Sequence, residues 1–390
     1  MKQYIILVTL LITATISYAQ VGIGTSSPAS SSQLEVSSTT KGFLPPRMTT
    51  SQRDAISSPA TGLLIYNTDN RAIETFTGTT GEWLTIGRGK SGAIANTALG
   101  VRALFSNTAS GYNNTAIGYA TLYGNTTGDY NTANGYGALR YNTAGSANTA
   151  NGYQSLNNNS TGDYNTANGE LSLFYNTTAD YNTANGYRAL FYNSTGNKNS
   201  AFGSGALYTN QTGDQNVAVG YNALYDNTAN YNTAVGYLAV ENNTSGDHNT
   251  AIGLMAQRLN TTGSSNTALG THSLYNNVVG NYNLAVGRDA LYSNKSSNNT
   301  AVGYKALYSN NSGSYNTAVG YDADVSSANL DNTMALGYGA TVSSSNKVRI
   351  GNSSVTTIEG VVGFTTVSDK RIKENVQEAV PGLSFISQLR

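Results

Sequence analysis

Ala-x-Gly occurs fifteen times between Ala98 and Gly337, and the recurrence dictates what the chain can become. The glycines are spaced 17 residues apart, with one interval of 18 (Gly100 to Gly118) and two of 16 (Gly220 to Gly236, Gly287 to Gly303). A fuller unit runs from Asn114 to Tyr130: Asn-Thr-Ala-Ile-Gly-Tyr-Ala-Thr-Leu-Tyr-Gly-Asn-Thr-Thr-Gly-Asp-Tyr. Asn stands four before the glycine in fourteen units, and Thr333 replaces it in the last. A fixed short period over more than half of a chain imposes a stack of near-identical units.

Seventeen residues is too short for a two-helix repeat and suits one coil of a β-solenoid. Asn-Thr-Ala-x-Gly-Tyr and Ala-Leu-Tyr each make a short strand, while Asn-Thr-Thr-Gly-Asp supplies turn residues. Gly, Asn and Thr in every turn oppose a helix. The fold class is therefore all-β: a β-roll rod of 17-residue coils, with a small N-terminal β module and a short C-terminal helix. Fourteen steps between the first and last glycine, at about 4.8 Å each, predict a rod of about 65–70 Å.

Ala and Gly of the repeat share one face of their strand, and the residue between them points the other way. That residue is Leu, Ile, Val or Phe in eleven units. Leu four after the glycine, from Leu104 to Leu307, is the expected filling of the coil, worth about 1.5–3 kcal/mol for each buried side chain. A thin coil covers one strand face only, and strands apolar on both faces have both covered. The Ala/Gly face is expected to pack against another copy of the chain.

The Asn-Thr-Ala-x-Gly-Tyr repeat resembles the Ser-Val-Ala-Ile-Gly repeat of trimeric autotransporter adhesin heads (YadA-like). The resemblance covers residues 96 to about 341 and implies a left-handed parallel β-roll with three chains around one axis, a homotrimer. The longer repeat and the Tyr-rich turns depart from that family's pattern.

Lys and Arg total 21 and so do Asp and Glu, giving zero formal charge. Nucleic acid, which demands a basic stripe, is excluded as a partner. The chain has no Cys, so neither disulfides nor thiolate-bound metal contribute. Residues 1–19 read as a secretory signal, with Lys2, an apolar run from Ile5 to Ile16, and Ser17-Tyr18-Ala19 before Gln20. The expected location is extracellular or at the cell surface, with no transmembrane anchor and any outer-membrane association made through a partner.

Residues 20–89 form the N-terminal module, where Gly62 to Asp69 reads as a strand and Thr75 to Ile86 as its hairpin partner. Gly22-Ile-Gly-Thr25 lacks the strand-to-helix context of a phosphate cradle. Residues 90–341 are the rod, 342–367 its end strands and 368–390 a separate C-terminal segment.

Within the rod, no metal site and no cofactor site is expected. His248 and His272 stand at different phases of the repeat. Asp129, Asp163, Asp214 and Asp247 follow glycine in the turns and read as solvated, since a calcium site needs several converging oxygens. Asn134, Asn151, Asn168 and Asn185 take the middle place of Ala-x-Gly in four successive units and are expected to form an amide ladder along the rod. Tyr follows the glycine in nine units, from Tyr119 to Tyr338, and further tyrosines precede Asn131, Asn165, Asn182, Asn232, Asn283 and Asn316. Such rows offer contact area for sugars or host proteins at low entropic cost, or stack to stabilise neighbouring coils.

Val367-Ser-Asp-Lys-Arg-Ile-Lys-Glu-Asn375 resembles the opening of the intramolecular-chaperone domain of phage tail spikes. That domain trimerises its fibre and cuts itself off before the serine. The resemblance, over about 23 residues, makes Ser368 the nucleophile and Lys373 its base. A Ser-Asp helix N-cap followed by basic residues accounts for the same string without chemistry.

The leading expectation is an exported, trimeric, adhesin-like fibre that is not an enzyme. Alternatives are a self-processing precursor and a polysaccharide-acting enzyme on a solenoid, the latter disfavoured because no acidic pair breaks the period. Ice binding by a threonine array is set aside because the neighbours of each Thr are bulky tyrosines. Cleavage between Val367 and Ser368 is not expected, because the sequence ends at Arg390 without the rest of the domain that aligns Ser368 and Lys373. Intact-mass measurement checks this: a product beginning at Ser368 and lost in Ser368→Ala and Lys373→Ala would establish the self-processing reading.

Overall fold

The computed structural model describes residues 20–78, 82–87, 96–107 and 110–361. The signal segment 1–19 and the segment 368–390, with its expected helix, lie outside the described residues. The chain opens with strands β1 (Val21–Ile23) and β2 (Leu34–Val36), paired in parallel. Strand β3 (Arg47–Met48) runs parallel to β4 (Leu64–Asn67), which continues antiparallel into β5 (Ala72–Phe76) and β6 (Trp83–Gly87). The stretch read as one hairpin partner is thus two strands.

One helix was not anticipated: α1 (Thr50–Asp54), held by a capping box in which Thr49 and Gln52 bond each other's backbone N–H groups. Strand β6 then pairs antiparallel with β7 (Thr97–Val101), joining Leu84 to Val101 and Gly87 to Ala98. One sheet therefore crosses from the N-terminal module into the rod.

From β7 onward each coil contributes one rung to a parallel ladder, as predicted. The register is the repeat itself: Thr183 faces Ser200, Ala184 faces Ala201 and Asn185 faces Phe202. The last rung, Val348–Ile350, pairs with Met334–Leu336, so the ladder continues past residue 341. Stacked rings on successive coils, such as Tyr164 and Tyr181 at 5.0 Å, report a spacing close to the strand separation of about 4.8 Å.

The assignment of faces differs from expectation. Ala in every Ala-x-Gly is buried inside its own coil, against the Leu column. The middle residue faces outward, as at Ile117, Phe202, Val219 and Ile252, and Thr of the same strand shares that face. The coil interior already holds Leu, so only a methyl fits beside it. Gly186 shows the constraint at the strand end: its φ is 135° and a Cβ would stand 2.6 Å from the Gly203 carbonyl. The outward face is what remains for another molecule, and Thr shares it with the middle residue rather than with tyrosine.

Two columns of buried asparagine run the length of the rod. In the first, Asn182 Oδ1 accepts the Asn199 backbone N–H at 2.9 Å, and Asn182 Nδ2 donates to the Gly196 carbonyl at 2.9 Å. In the second, Asn193 Nδ2 donates to Asn176 Oδ1 at 3.0 Å and to the same Gly196 carbonyl at 2.9 Å. Thr333 ends the first column, its hydroxyl donating to Asn316 Oδ1 at 2.7 Å.

The irregular spacings fall between these columns. Asn227 reaches Ala229 and Asn294 reaches Ser296, two residues on, where most coils use three; Asn107 reaches Gly111, four on. A residue is gained or lost in the turn and the strand register is untouched.

The expected ladder of Asn134, Asn151, Asn168 and Asn185 is outward-facing and retains one bond, Asn151 Nδ2 to Asn168 Oδ1 at 2.9 Å. The turn aspartates are more than solvated. Asp129, Asp163, Asp214 and Asp247 each accept a backbone N–H from the preceding coil, at 2.6, 2.7, 2.6 and 3.0 Å.

Ala184→Leu, aimed into the filled interior, is expected to cost about 1–3 kcal/mol or more. Asn185→Leu, on the face where other rungs carry Leu269 and Leu336, is expected to stay within about 0.5 kcal/mol. Urea unfolding midpoints check this, and equal costs would overturn the assignment of faces.

Candidate interaction surface

The side chains available for contact stand in columns because each repeat position recurs once per coil. The flat outer face of the ladder carries Thr and the middle residue of Ala-x-Gly. It is polar from Asn134 to Asn185 and apolar from Phe202 through Val219, Val235, Ile252, Leu269, Val286, Val302, Val319 and Leu336 to Ile350.

Beside it runs the column of residues following the glycine. Its tyrosines stack where they are consecutive: Tyr119 on Tyr136 at 5.1 Å, Tyr221 on Tyr237 at 5.5 Å, Tyr304 on Tyr321 at 4.9 Å. A second aromatic column lies five after the glycine, from Phe174 through Phe191 and Tyr208 to Tyr225, at 5.5, 5.3 and 4.8 Å. The tyrosines preceding the ladder Asn are well exposed and sit at positive φ, 58° at Tyr181 and 57° at Tyr282. Both roles considered for the tyrosine rows are compatible with this geometry, since rings touch along the rod and leave their edges to solvent. The Ala-Leu-Tyr stretch that carries this column is a turn and not the second short strand expected of it, because its Leu adopts positive φ, 52° at Leu190.

The two histidines have separate neighbours: His248 stacks on Tyr231 at 4.8 Å, and His272 lies 3.3 Å from Asp289. Among the described residues no group of three His, Cys, Asp or Glu is placed to hold a metal ion. No described helix is long and apolar enough to cross a membrane. Ser368 and Lys373 lie outside the described residues.

The N-terminal module holds a fully buried carboxylate, Glu74 on β5. Arg53 of α1 meets it at 2.7 Å, Asn67 at 3.1 Å and Asn70 at 2.6 Å, so both carboxylate oxygens are bonded. Arg53 also lies over the Trp83 ring at 5.7 Å. Burial alone pulls the guanidinium down, but hydrogen bonds to Glu74 and Asp54 outweigh it and hold Arg53 above its ordinary value. This network pins α1 to the sheet that leads into the rod. No spacing rule in the sequence pointed to it.

A family model described as a phage tail like trimerisation region matches residues 22–99, the N-terminal module and the first rung. No curated protein matches the chain. A trimerisation region feeding directly into a β-solenoid rod fits a phage-tail-like trimeric fibre, a structural, fibrous protein.

Glu74→Ala removes the buried partner of Arg53 and the acceptor of Asn67 and Asn70, leaves Asp54 as the remaining carboxylate on the guanidinium, and is expected to destabilise the module by about 1–3 kcal/mol. The apolar pair Arg53→Met with Glu74→Leu is expected to recover most of that loss. Denaturant midpoints followed through Trp83 fluorescence check both; a neutral Glu74→Ala would show that the network is dispensable.

Proposed function

We propose that this chain is the shaft of an exported homotrimeric fibre that attaches to surfaces or glycans, with an adhesin-head-like coil. One observation carries the reading: the segment matching a trimerisation region continues, through the β6–β7 pairing, into a rod with an uncovered apolar stripe. Three parallel rods around one axis bury that stripe along its whole length, since every rung presents the same position to the same neighbour. Contiguous exposed apolar surface of this kind marks a contact site. The asparagine stretch from Asn134 to Asn185 then becomes a polar section of the same contact, able to bond across chains where its own ladder is incomplete.

Attachment falls to the sides away from that contact. The tyrosine columns supply large, rigid, amphipathic contact area repeated along the rod, which suits an extended polymer better than a single small molecule. The signal-like segment 1–19 supports export.

The chain from Gln20 to Arg390 is expected to sediment as a trimer. Val235→Glu with Ile252→Glu, both on the outward stripe, should shift it toward monomer while the β signal in circular dichroism persists. A wild-type monomer at micromolar concentration would overturn the assembly, and an unchanged trimer in the double variant would move the contact to another face.

A further inference from the structure

The tyrosine face is interrupted at one rung in a way no other repeat shows. The two residues after the glycine are Ser204 and Gly205, and none of the other fourteen units places two side chains this small there. Tyr187 lies one coil before and Tyr221 one coil after, both exposed. Where tyrosines are consecutive in this column their rings stack at about 5 Å, as at Tyr119 and Tyr136. Leaving one out separates Tyr187 from Tyr221 by two rungs, about 10 Å at the strand spacing of about 4.8 Å. That gap takes one further ring at ordinary ring-to-ring distances of about 4.5–7 Å.

The hollow is backed by Tyr208 and Tyr225, stacked at 4.8 Å, and rimmed by Arg188 and Asn222. A side chain on Gly205 would press on the Asn222 amide oxygen and displace that side chain, so glycine leaves the floor open. The Arg188 guanidinium lies 5.0 Å from the Tyr187 ring and 5.3 Å from the Phe191 ring. Its Nε is buried and has no hydrogen-bond partner. No carboxylate lines the hollow.

We propose that this hollow is a subsite for one pyranose ring of an acidic polysaccharide, seated in the place of the missing tyrosine with its carboxylate toward Arg188. The proposal rests on the glycan-attachment reading above and gives that reading a location and a preferred sugar class. A pyranose chair seated by its C–H faces between the two tyrosine rings satisfies the aromatic walls. The phenol groups, the Ser204 hydroxyl and the Asn222 amide are there for the sugar hydroxyls, and the Arg188 guanidinium, at a hollow that no carboxylate lines, selects an anionic substituent. Burial, with the neighbouring Tyr192 and Asp226 adding to it, raises Tyr208 and Tyr225 above the usual phenol range, so both stay protonated and able to donate.

Calorimetric titration of the full chain with tetragalacturonate and with maltotetraose tests the proposal. Wild type is expected to bind the acidic tetramer at least about tenfold more tightly than the neutral one. Ser204→Tyr restores the consensus column and should abolish binding with no loss of thermal midpoint, while Arg188→Gln should bring the acidic tetramer down to the neutral one. Unchanged binding in Ser204→Tyr would overturn the subsite while leaving the wider attachment reading in place. A wild type that takes neither probe would also overturn it; retention of other immobilised polysaccharides by the same sample would show the wider reading intact, and failure to retain any would remove both.

Discussion

The buried asparagine amides are the constraint on which this rod depends. Each coil is too thin to make a large apolar core, so Leu and Ala supply the filling and the amides supply the direction. Asn182 ties its own turn, at Gly196, to its own rung, and ties that rung to the next through Asn199. The Gly196 carbonyl accepts from both columns, so one oxygen joins the strand side of the coil to the turn side. A buried amide left unbonded costs about 1–3 kcal/mol, and stacking identical coils removes that cost along most of the two asparagine columns. Asn210 Oδ1, next to the shortened turn at Asn227, is one place where a partner is lost.

The same repetition sustains a backbone that would be costly in isolation. Leu190 at φ 52°, Arg188 at 54° and Tyr181 at 58° recur in kind in most coils, and left-handed residues of this sort cost about 1–2 kcal/mol each. Each is followed and preceded by rungs with the same geometry, so its N–H and C=O find partners one coil away: Arg188 donates to the Glu170 carbonyl and Leu190 to the Ala206 carbonyl. The turns are tight because the inter-coil bonds hold them so, and the coil can close in 17 residues as a result.

With the interior fully committed, function is left to the outside, and the outside is sorted into lanes. The ladder lane alternates threonine with a middle residue that is apolar in eleven of the fifteen units. The tyrosine lanes are ridged and amphipathic. The N-terminal module is joined to the first rung by the β6–β7 pairing, and α1 is pinned to its sheet by Arg53 and Glu74.

The period, the β class and the filling of the coil by Leu104 to Leu307 were legible in the sequence, because a strict repeat can stack only like upon like. The near-invariant Asn four before each glycine was also visible there, although its role was not. What the sequence left open was which strand face turns inward. Alternation puts Ala and Gly together on one side, and either side satisfies that pattern. Only the closed coil decides, since the space beside Leu admits a methyl and excludes Val or Phe. The same closure turned Asn134 to Asn185 outward, made the turn aspartates into backbone acceptors, and set Ser204 between two tyrosines that lie 17 residues away on either side in sequence and one coil away in space.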